Sequence, residues 1–207
     1  MSPGPILAID TATPEAAVAL RHRDQVTQRS LGWRSAFREA GPAIEALLAE
    51  VGLTLDGVAG IAVPAGPGSF TGLRVGAALA LALADLRGIP LFAPSTLAVV
   101  AEACAPPGID RVCASLDARR GRRYAAVLER GSPGSWRLAN GALDLEPVEV
   151  ADLAAGLPIV SLEDERPLRP TPAAALTSLV AGAPDLYRLA APDRLELLYA
   201  RAGGILP

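Results

Sequence analysis

Apolar positions recur first at strand spacing and then at helix spacing along the first half of the chain. Pro5 to Asp10 and Ala16 to Leu20 are apolar runs of strand length on either side of the turn Thr11 to Glu15, and Val26 to Leu31 reads as a third strand. From Ser35 to Val51 the period changes. Ala40, Ala43, Ile44, Leu47, Leu48 and Val51 recur at three and four, which predicts one face of an amphipathic helix stopped by Gly52. Val58 to Ala65 predicts a buried strand, about Phe70 to Arg87 a helix ended by Gly88, and Ile89 to Ala93 another strand. The predicted order is β-β-β-α-β-α-β.

The order then partly repeats. Leu7 to Asp10, a turn, and Ala16 to Leu20 are echoed by Ala114 to Asp117, a turn two residues longer, and Ala125 to Leu128. In both copies an apolar strand ends on Asp and is followed across a hairpin by an alanine- and valine-rich strand. Two related lobes follow from this, joined near Pro94 to Gly108 with a helix from Ser95 to Cys104 crossing over. The division expected is residues 1–98 for the first lobe and 99–207 for a smaller second one, whose C-terminal segment is a candidate to pack back on the first. Beyond Gly131 the signals thin, leaving a strand near Pro158 to Leu162 and a helix near Pro172 to Gly182, too little for a full second copy.

The turn Gly66-Pro67-Gly68-Ser69-Phe70-Thr71-Gly72-Leu73-Arg74 joins an apolar strand to an apolar helix, with Ser69 or Thr71 as the helix cap. Unpaired N–H groups at such a helix start attract an anion, so Gly66, Gly68, Ser69 and Arg74, with Asp10 and Thr11, are candidate anion or nucleotide contacts. The same glycines also suit a tight strand-to-helix corner with no ligand. A phosphate loop of the common type would carry Lys after its last Gly, and here Leu73 follows Gly72.

Composition removes several chemistries. All 19 basic residues are Arg, which excludes a phosphate-loop lysine, a Schiff base and an amine nucleophile. The single histidine, His22, sits among Arg21, Arg23 and Asp24 and reads as a solvated turn residue; no multi-histidine metal site can be built, and no metal is expected. The net charge of -3 argues against a protein that holds nucleic acid strongly alone. One basic clump, Arg119, Arg120, Arg122 and Arg123, falls at a hairpin tip, read as a solvated turn or a tRNA contact. Cys104 and Cys113 lack metal or redox spacing and fit reduced core thiols of a cytoplasmic protein. No signal peptide opens the chain, and the longest apolar helix run, Val75 to Ala84, is too short to span a bilayer.

Ile9 to Thr13, the run Gly66 to Gly76, Ser95-Thr96-Leu97, and Asp117-Ala118-Arg119 with Gly121 and Tyr124 together resemble the TsaB family, also called YeaZ. Tyr199 and Arg201 resemble its C-terminal Pro-x-Tyr-x-Arg, with Leu197 in place of the proline. The family commonly carries a His before its first helix, where this chain has about Ala36. The resemblance implies an α/β fold of the actin, Hsp70 and sugar-kinase type (ASKHA), with two related lobes and a reduced second lobe. It also implies a non-catalytic subunit of the complex that adds a threonylcarbamoyl group to the adenosine next to the anticodon in tRNAs reading A-starting codons. In that family a TsaD-type paralogue performs the transfer, a small TsaE-type ATPase joins it, and this subunit scaffolds the pair. It forms a homodimer when alone and meets tRNA only through the complex. No cofactor of its own is implied, although a nucleotide at a subunit junction is compatible with it. The residues agree on the absence of catalysis: Thr11-Ala12-Thr13-Pro14 and Ala118-Arg119-Arg120 are not the glycine-rich hairpins with which an actin-like ATPase cradles phosphates.

Gly72, Gly76, Ala80 and Ala84 recur every four residues, a stripe of small side chains flanked by Leu73, Leu79, Leu83 and Leu86. Paired with the first helix, this stripe is read as a partner interface formed by Ala40, Ile44, Leu47, Gly72, Leu73, Gly76, Ala80 and Leu83; the family uses these two helices to dimerise. On that reading Gly76→Leu separates the subunits and leaves each folded, whereas a helix wholly buried in its own lobe gives the opposite result. A residual nucleotide-binding enzyme or small-molecule kinase with Asp10 as base is the alternative, and a protease-like role is weaker still.

Overall fold

The computed structural model describes residues 4–32, 35–131, 135–163, 170–191, 194–201 and 204–206, with the side chains of 200–206 excepted. The first lobe follows the predicted order: β1 (Ile6–Asp10), β2 (Ala17–His22), β3 (Gln25–Ser30), α1 (Ala36–Glu50), β4 (Gly60–Ala62), α2 (Phe70–Arg87) and β5 (Leu91–Phe92). Its sheet runs β3-β2-β1-β4-β5, with β1 antiparallel to β2 and parallel to β4. The predicted strand Val58 to Ala65 shortens to three residues in the ladder, yet its backbone stays engaged on both flanks: Ala59 N–H donates to Pro5 O, Val63 N–H to Phe92 O and Ala65 N–H to Pro94 O.

The helix α3 (Thr96–Cys104) crosses to the second lobe, capped by Ser95, whose hydroxyl accepts from Leu97 N–H. There β6 (Arg111–Arg119) and β7 (Arg122–Arg130) form a long hairpin, followed by β8 (Trp136–Leu138), β9 (Leu143–Leu145), α4 (Pro147–Ala154), β10 (Ile159–Ser161), α5 (Pro172–Gly182) and α6 (Pro184–Tyr187). The second sheet runs β10-β6-β7-β8, with β9 also on β7, and β10 lies parallel to β6 as β4 does to β1. The second lobe is therefore a more complete copy than expected. Among the described residues it repeats β-β-β-α-β-α without a counterpart of β5. Its third-strand position is split between β8 and β9, three residues each, which is below the length at which alternation shows in sequence.

Two further corrections concern turns. The hairpin after Asp117 is tight, since β6 continues to Arg119 through a register shift and only Arg120 and Gly121 form the tip. His22 is the last residue of β2, paired with Gln25, and its Nδ1 is buried without a hydrogen-bond partner.

Packing follows from alternation along the strands. Leu7, Ile9, Val18, Leu20, Ile61 and Leu91 leave one face of the first sheet and bury against α1 and α2. The opposite face, small at Ala8, Ala17, Ala19 and Ala62, admits α5 closely, and α3, packed on α5, covers Val112, Ala114 and Leu116 of the second sheet. Cys113 and Ala125 point the other way, onto Val150 and Ala154 of α4. The layers are thus α1/α2, sheet, α3/α5, sheet, α4, the two-lobed architecture of the actin-like fold. Both faces of β1 are covered, which is why the strand reads as continuously apolar. Among the described residues no helix is long and apolar enough to cross a membrane. The last strands, β11 (Tyr199–Arg201) and β12 (Gly204–Leu206), form a separate hairpin.

Candidate functional site

The candidate anion site folds inward. Asp10 ends β1 fully buried, and one carboxylate oxygen accepts from Ala12 N–H (2.9 Å) and Thr13 N–H (3.2 Å) while the other accepts from the Thr13 hydroxyl. The carboxylate thus ties its own turn. Burial pushes Asp10 up from the ordinary 3.8 to about 6, against the lowering effect of those three hydrogen bonds. Thr11 is equally occupied: its hydroxyl donates to Gly72 O at 2.6 Å.

The glycine-rich turn lies on this first turn. Ser69 N–H donates to Ala12 O at 3.0 Å, and the Ser69 hydroxyl caps α2 by accepting from Gly72 N–H at 3.2 Å. A Cβ on Gly72 would stand 1.8 Å from Thr11 O, and one on Gly68 would stand 2.9 Å from Ala12 O. Gly66, at φ +108, gives its carbonyl to Thr96 N–H (2.8 Å) and the Ser95 hydroxyl (3.2 Å). These glycines permit backbone to meet backbone, which is the corner reading rather than the cradle reading. Arg74 does not back the turn: its guanidinium lies over the exposed Phe70 ring, 4.6 Å from the centroid, and Tyr199 meets the same ring at 5.3 Å.

A cleft of about 310 Å³ separates the lobes, bounded by Ser69, Phe70 and Thr71 on one side and by Asp117, Arg119 and Tyr124 on the other. Burial, then the negative charges of Asp144 and Asp117, raise the Tyr124 phenol above its ordinary value, so it stays protonated at neutral pH. The arginine clump divides. Arg122 donates to Asp144 at 2.6 Å, and Arg123 donates to Ser115, Ser161 and Glu163. These two brace the second lobe. Arg119 and Arg120 remain exposed at the tip, with Arg119 on the cleft.

The small-residue stripe faces inward as well. Ala40, Ile44, Leu47, Leu73 and Ala80 are buried in their own lobe, and a Cβ on Gly76 would lie 2.7 Å from the Thr11 hydroxyl and 3.4 Å from Val63. Gly72, Gly76, Ala80 and Ala84 therefore seat α2 on β1, and Gly76→Leu disrupts the monomer rather than an interface. The physical reason is volume: the sheet takes the small face because β1 and its turn approach the helix backbone. The outward face is a different one. Thr71, Ala78, Ala82 and Leu86 are exposed, Val75 half-buried, and Leu79 and Leu83 line an apolar groove of about 360 Å³ with Ile44, Leu48, Leu53 and Leu55. Phe37, at the start of α1, is 77% exposed. Sequence reasoning missed Phe37 and the Ala78–Ala82 face, although an aromatic on the polar side of an amphipathic pattern was a readable signal.

A family model described as "TsaD: tRNA N6-adenosine threonylcarbamoyltransferase" matches residues 34–155, more than half of the chain. The tRNA threonylcarbamoyladenosine biosynthesis protein TsaB of Escherichia coli is 38% identical over 133 residues, 63% of this chain and 58% of that protein. Its Bacillus subtilis namesake is 32% identical over 169 residues, 79% of this chain and 68% of that protein. Similarity thus spans only somewhat over half of the E. coli protein. YeaZ from Pseudomonas aeruginosa superposes with a TM-score of 0.77 at 27% identity, covering 95% of this chain and 99% of that one.

Proposed function

This chain belongs to the TsaB (YeaZ) family, and we propose that it is a non-catalytic scaffold subunit in tRNA threonylcarbamoyladenosine biosynthesis, docking through the outer face of α1 and α2. The observation that carries the docking reading is the exposed apolar face of α2. Ala78, Ala82 and Leu86 lie in solvent beside the groove of Leu79 and Leu83, although the same helix already satisfies its own core through the opposite face. An apolar helix with a second apolar side left open is built for another helix. Its partner is the TsaD-type paralogue that carries the transfer chemistry, with a TsaE-type ATPase joining them and a homodimer forming in the paralogue's absence. A nucleotide at a subunit junction and tRNA contact through the complex belong to the same proposal, Arg119 and Arg120 being the exposed residues of the hairpin tip. Support for the non-catalytic part is the use of the superfold's ligand-facing groups as structure: Asp10 holds its own turn, and the glycine turn rests on Ala12. A residual kinase with Asp10 as base needs that carboxylate in the cleft.

Mixing the chain with the paralogue from the same genome and measuring mass by size-exclusion chromatography with light scattering tests the docking. A one-to-one complex is expected. Ala82→Arg places a charge on the outer face without touching the core, and it is expected to weaken the complex about a hundredfold or more with the monomer's circular dichroism unchanged. Separate elution in every nucleotide state, or an Ala82→Arg complex of full strength, removes this face from the mechanism. ATP hydrolysis by the chain alone, abolished in Asp10→Asn, would favour the kinase instead.

A further inference from the structure

The last described residues leave the second lobe, run along the first, and return. After α6, Ala93 N–H donates to Tyr187 O at 2.9 Å, Phe92 bridges Arg188 antiparallel, and Leu189 N–H donates to Leu91 O at 2.9 Å, so residues 187–189 line the β5 edge of the first sheet. Leu189 and Leu195 then pack on the core beneath α1 and α2. Leu198 N–H donates to Ala65 O at 2.7 Å, and Leu198 O lies only 2.4 Å from where a Cβ on Gly66 would stand. The Tyr199 ring meets that of Phe70 at a tilt of 42°, and the β11–β12 hairpin lies against β9, which pairs with β7 at Tyr124. Phe70 and Tyr124 are opposite walls of the inter-lobe cleft.

We propose that residues 187–191 and 194–199, with the paired strands β11 and β12, form a clasp that sets the separation of the lobes and hence the width of the cleft. The segment is anchored to the first lobe at β5, at Ala65 and at Phe70, and to the second lobe at both of its ends, by the Tyr187 hydroxyl, which accepts from Trp136 N–H and donates to Trp136 O of β8, and by the contact of the hairpin with β9. Widening of the cleft at Phe70 strains the Leu198–Ala65 hydrogen bond, the Tyr199–Phe70 contact and the contact of the hairpin with β9. Each is a small, local contact of the kind that opens before the core does. The clasp acts on the glycine-rich turn and the mouth of the cleft, and it is independent of the docking face on α2.

The test uses the full chain with Leu198→Pro, which removes the N–H donated to Ala65, with Tyr199→Ala, and with Tyr199→Phe as the variant that keeps the ring. Hydrogen exchange followed by mass spectrometry reads residues 64–73. Spin labels on cysteines introduced at the exposed Pro14 and Arg120 read the lobe separation, since Cys104 and Cys113 are buried. The expected result is exchange about tenfold faster across 64–73 and a longer, broader distance distribution in Leu198→Pro and Tyr199→Ala. Tyr199→Phe and the exchange of β1 and β6 stay as in the unmodified chain. Unchanged exchange and distance in both disrupting variants overturn the clasp. So does acceleration of β1 and β6 to the same degree, which makes the segment an ordinary part of global stability.

Discussion

Gly72→Ala is expected to unfold the first lobe or leave it insoluble, although it adds one methyl group at the start of a helix where alanine is favoured by propensity. The added Cβ meets the Thr11 carbonyl oxygen at 1.8 Å, a contact that no rotamer relieves because the Cβ position is fixed by its own backbone and the oxygen is itself backbone. Either α2 lifts from the turn or the turn detaches from α2. In both cases the Thr11 hydroxyl loses Gly72 O, and the Ser69 cap and the Ser69–Ala12 hydrogen bond are pulled out of register. Overpacking in a well-packed site costs about 1–3 kcal/mol when side chains can yield, and the cost here lies at or above about 3 kcal/mol because they cannot. Chemical denaturation of the purified variant gives the number. A midpoint within experimental error of the parent would show that the turn is far softer than its contacts indicate. Gly76→Leu is expected to behave in the same way, and not as an interface variant with a folded monomer.

The second large effect is a pH dependence carried by Asp10. Its native value near 6 lies above the ordinary 3.8, so the native state holds the proton more tightly than the unfolded chain does. The sign follows directly: the contribution to stability is fully present below about 3.8 and is lost as pH rises through about 6. A displacement of this size corresponds to about 3 kcal/mol, approached at neutral pH, where a buried carboxylate must be ionised. Asp10→Asn keeps an oxygen for Ala12 N–H and Thr13 N–H and removes the charge. Its unfolding free energy, measured between pH 4 and 7.5, is therefore expected to equal or exceed that of the parent at the upper end. The parent should gain on it as the pH falls through 6 to 4. Parallel curves would mean that the Asp10 carboxylate is solvated or paired in a way its buried turn does not show. Asp10→Ala leaves two buried N–H groups unpaired, and at pH 4, with Asp10 protonated in the parent, it is expected to cost about 2 kcal/mol or more.

Both predictions arise where local pattern and tertiary contact part company. Strand spacing is a property of neighbours two positions apart and helix spacing of neighbours three or four apart, so β1 to β3, α1, α2 and α3 were legible in order and nearly in extent. The capping serines Ser69 and Ser95 and the helix end at Gly88 belong to the same local grammar. The second lobe was legible only at its hairpin, at β10 and at α5. Three-residue strands such as β8 and β9 owe their existence to the ladder on β7 and carry no periodicity of their own.

The chain alone also determined which chemistry is unavailable: with no lysine and a single histidine, whole classes of catalysis close whatever the fold. It could not determine direction. The small stripe of α2 was visible as a stripe, yet whether it faces a partner or its own sheet rests on Thr11 and Gly72, which meet across 61 positions of sequence. Asp10 was visible as an acid at a strand end. That its carboxylate ties its own turn depends on burial by layers drawn from both lobes. A side chain's type and spacing are written locally, while the face it presents is decided by what the rest of the chain packs against it; that is why α2's small-residue face became core and its other face stayed exposed.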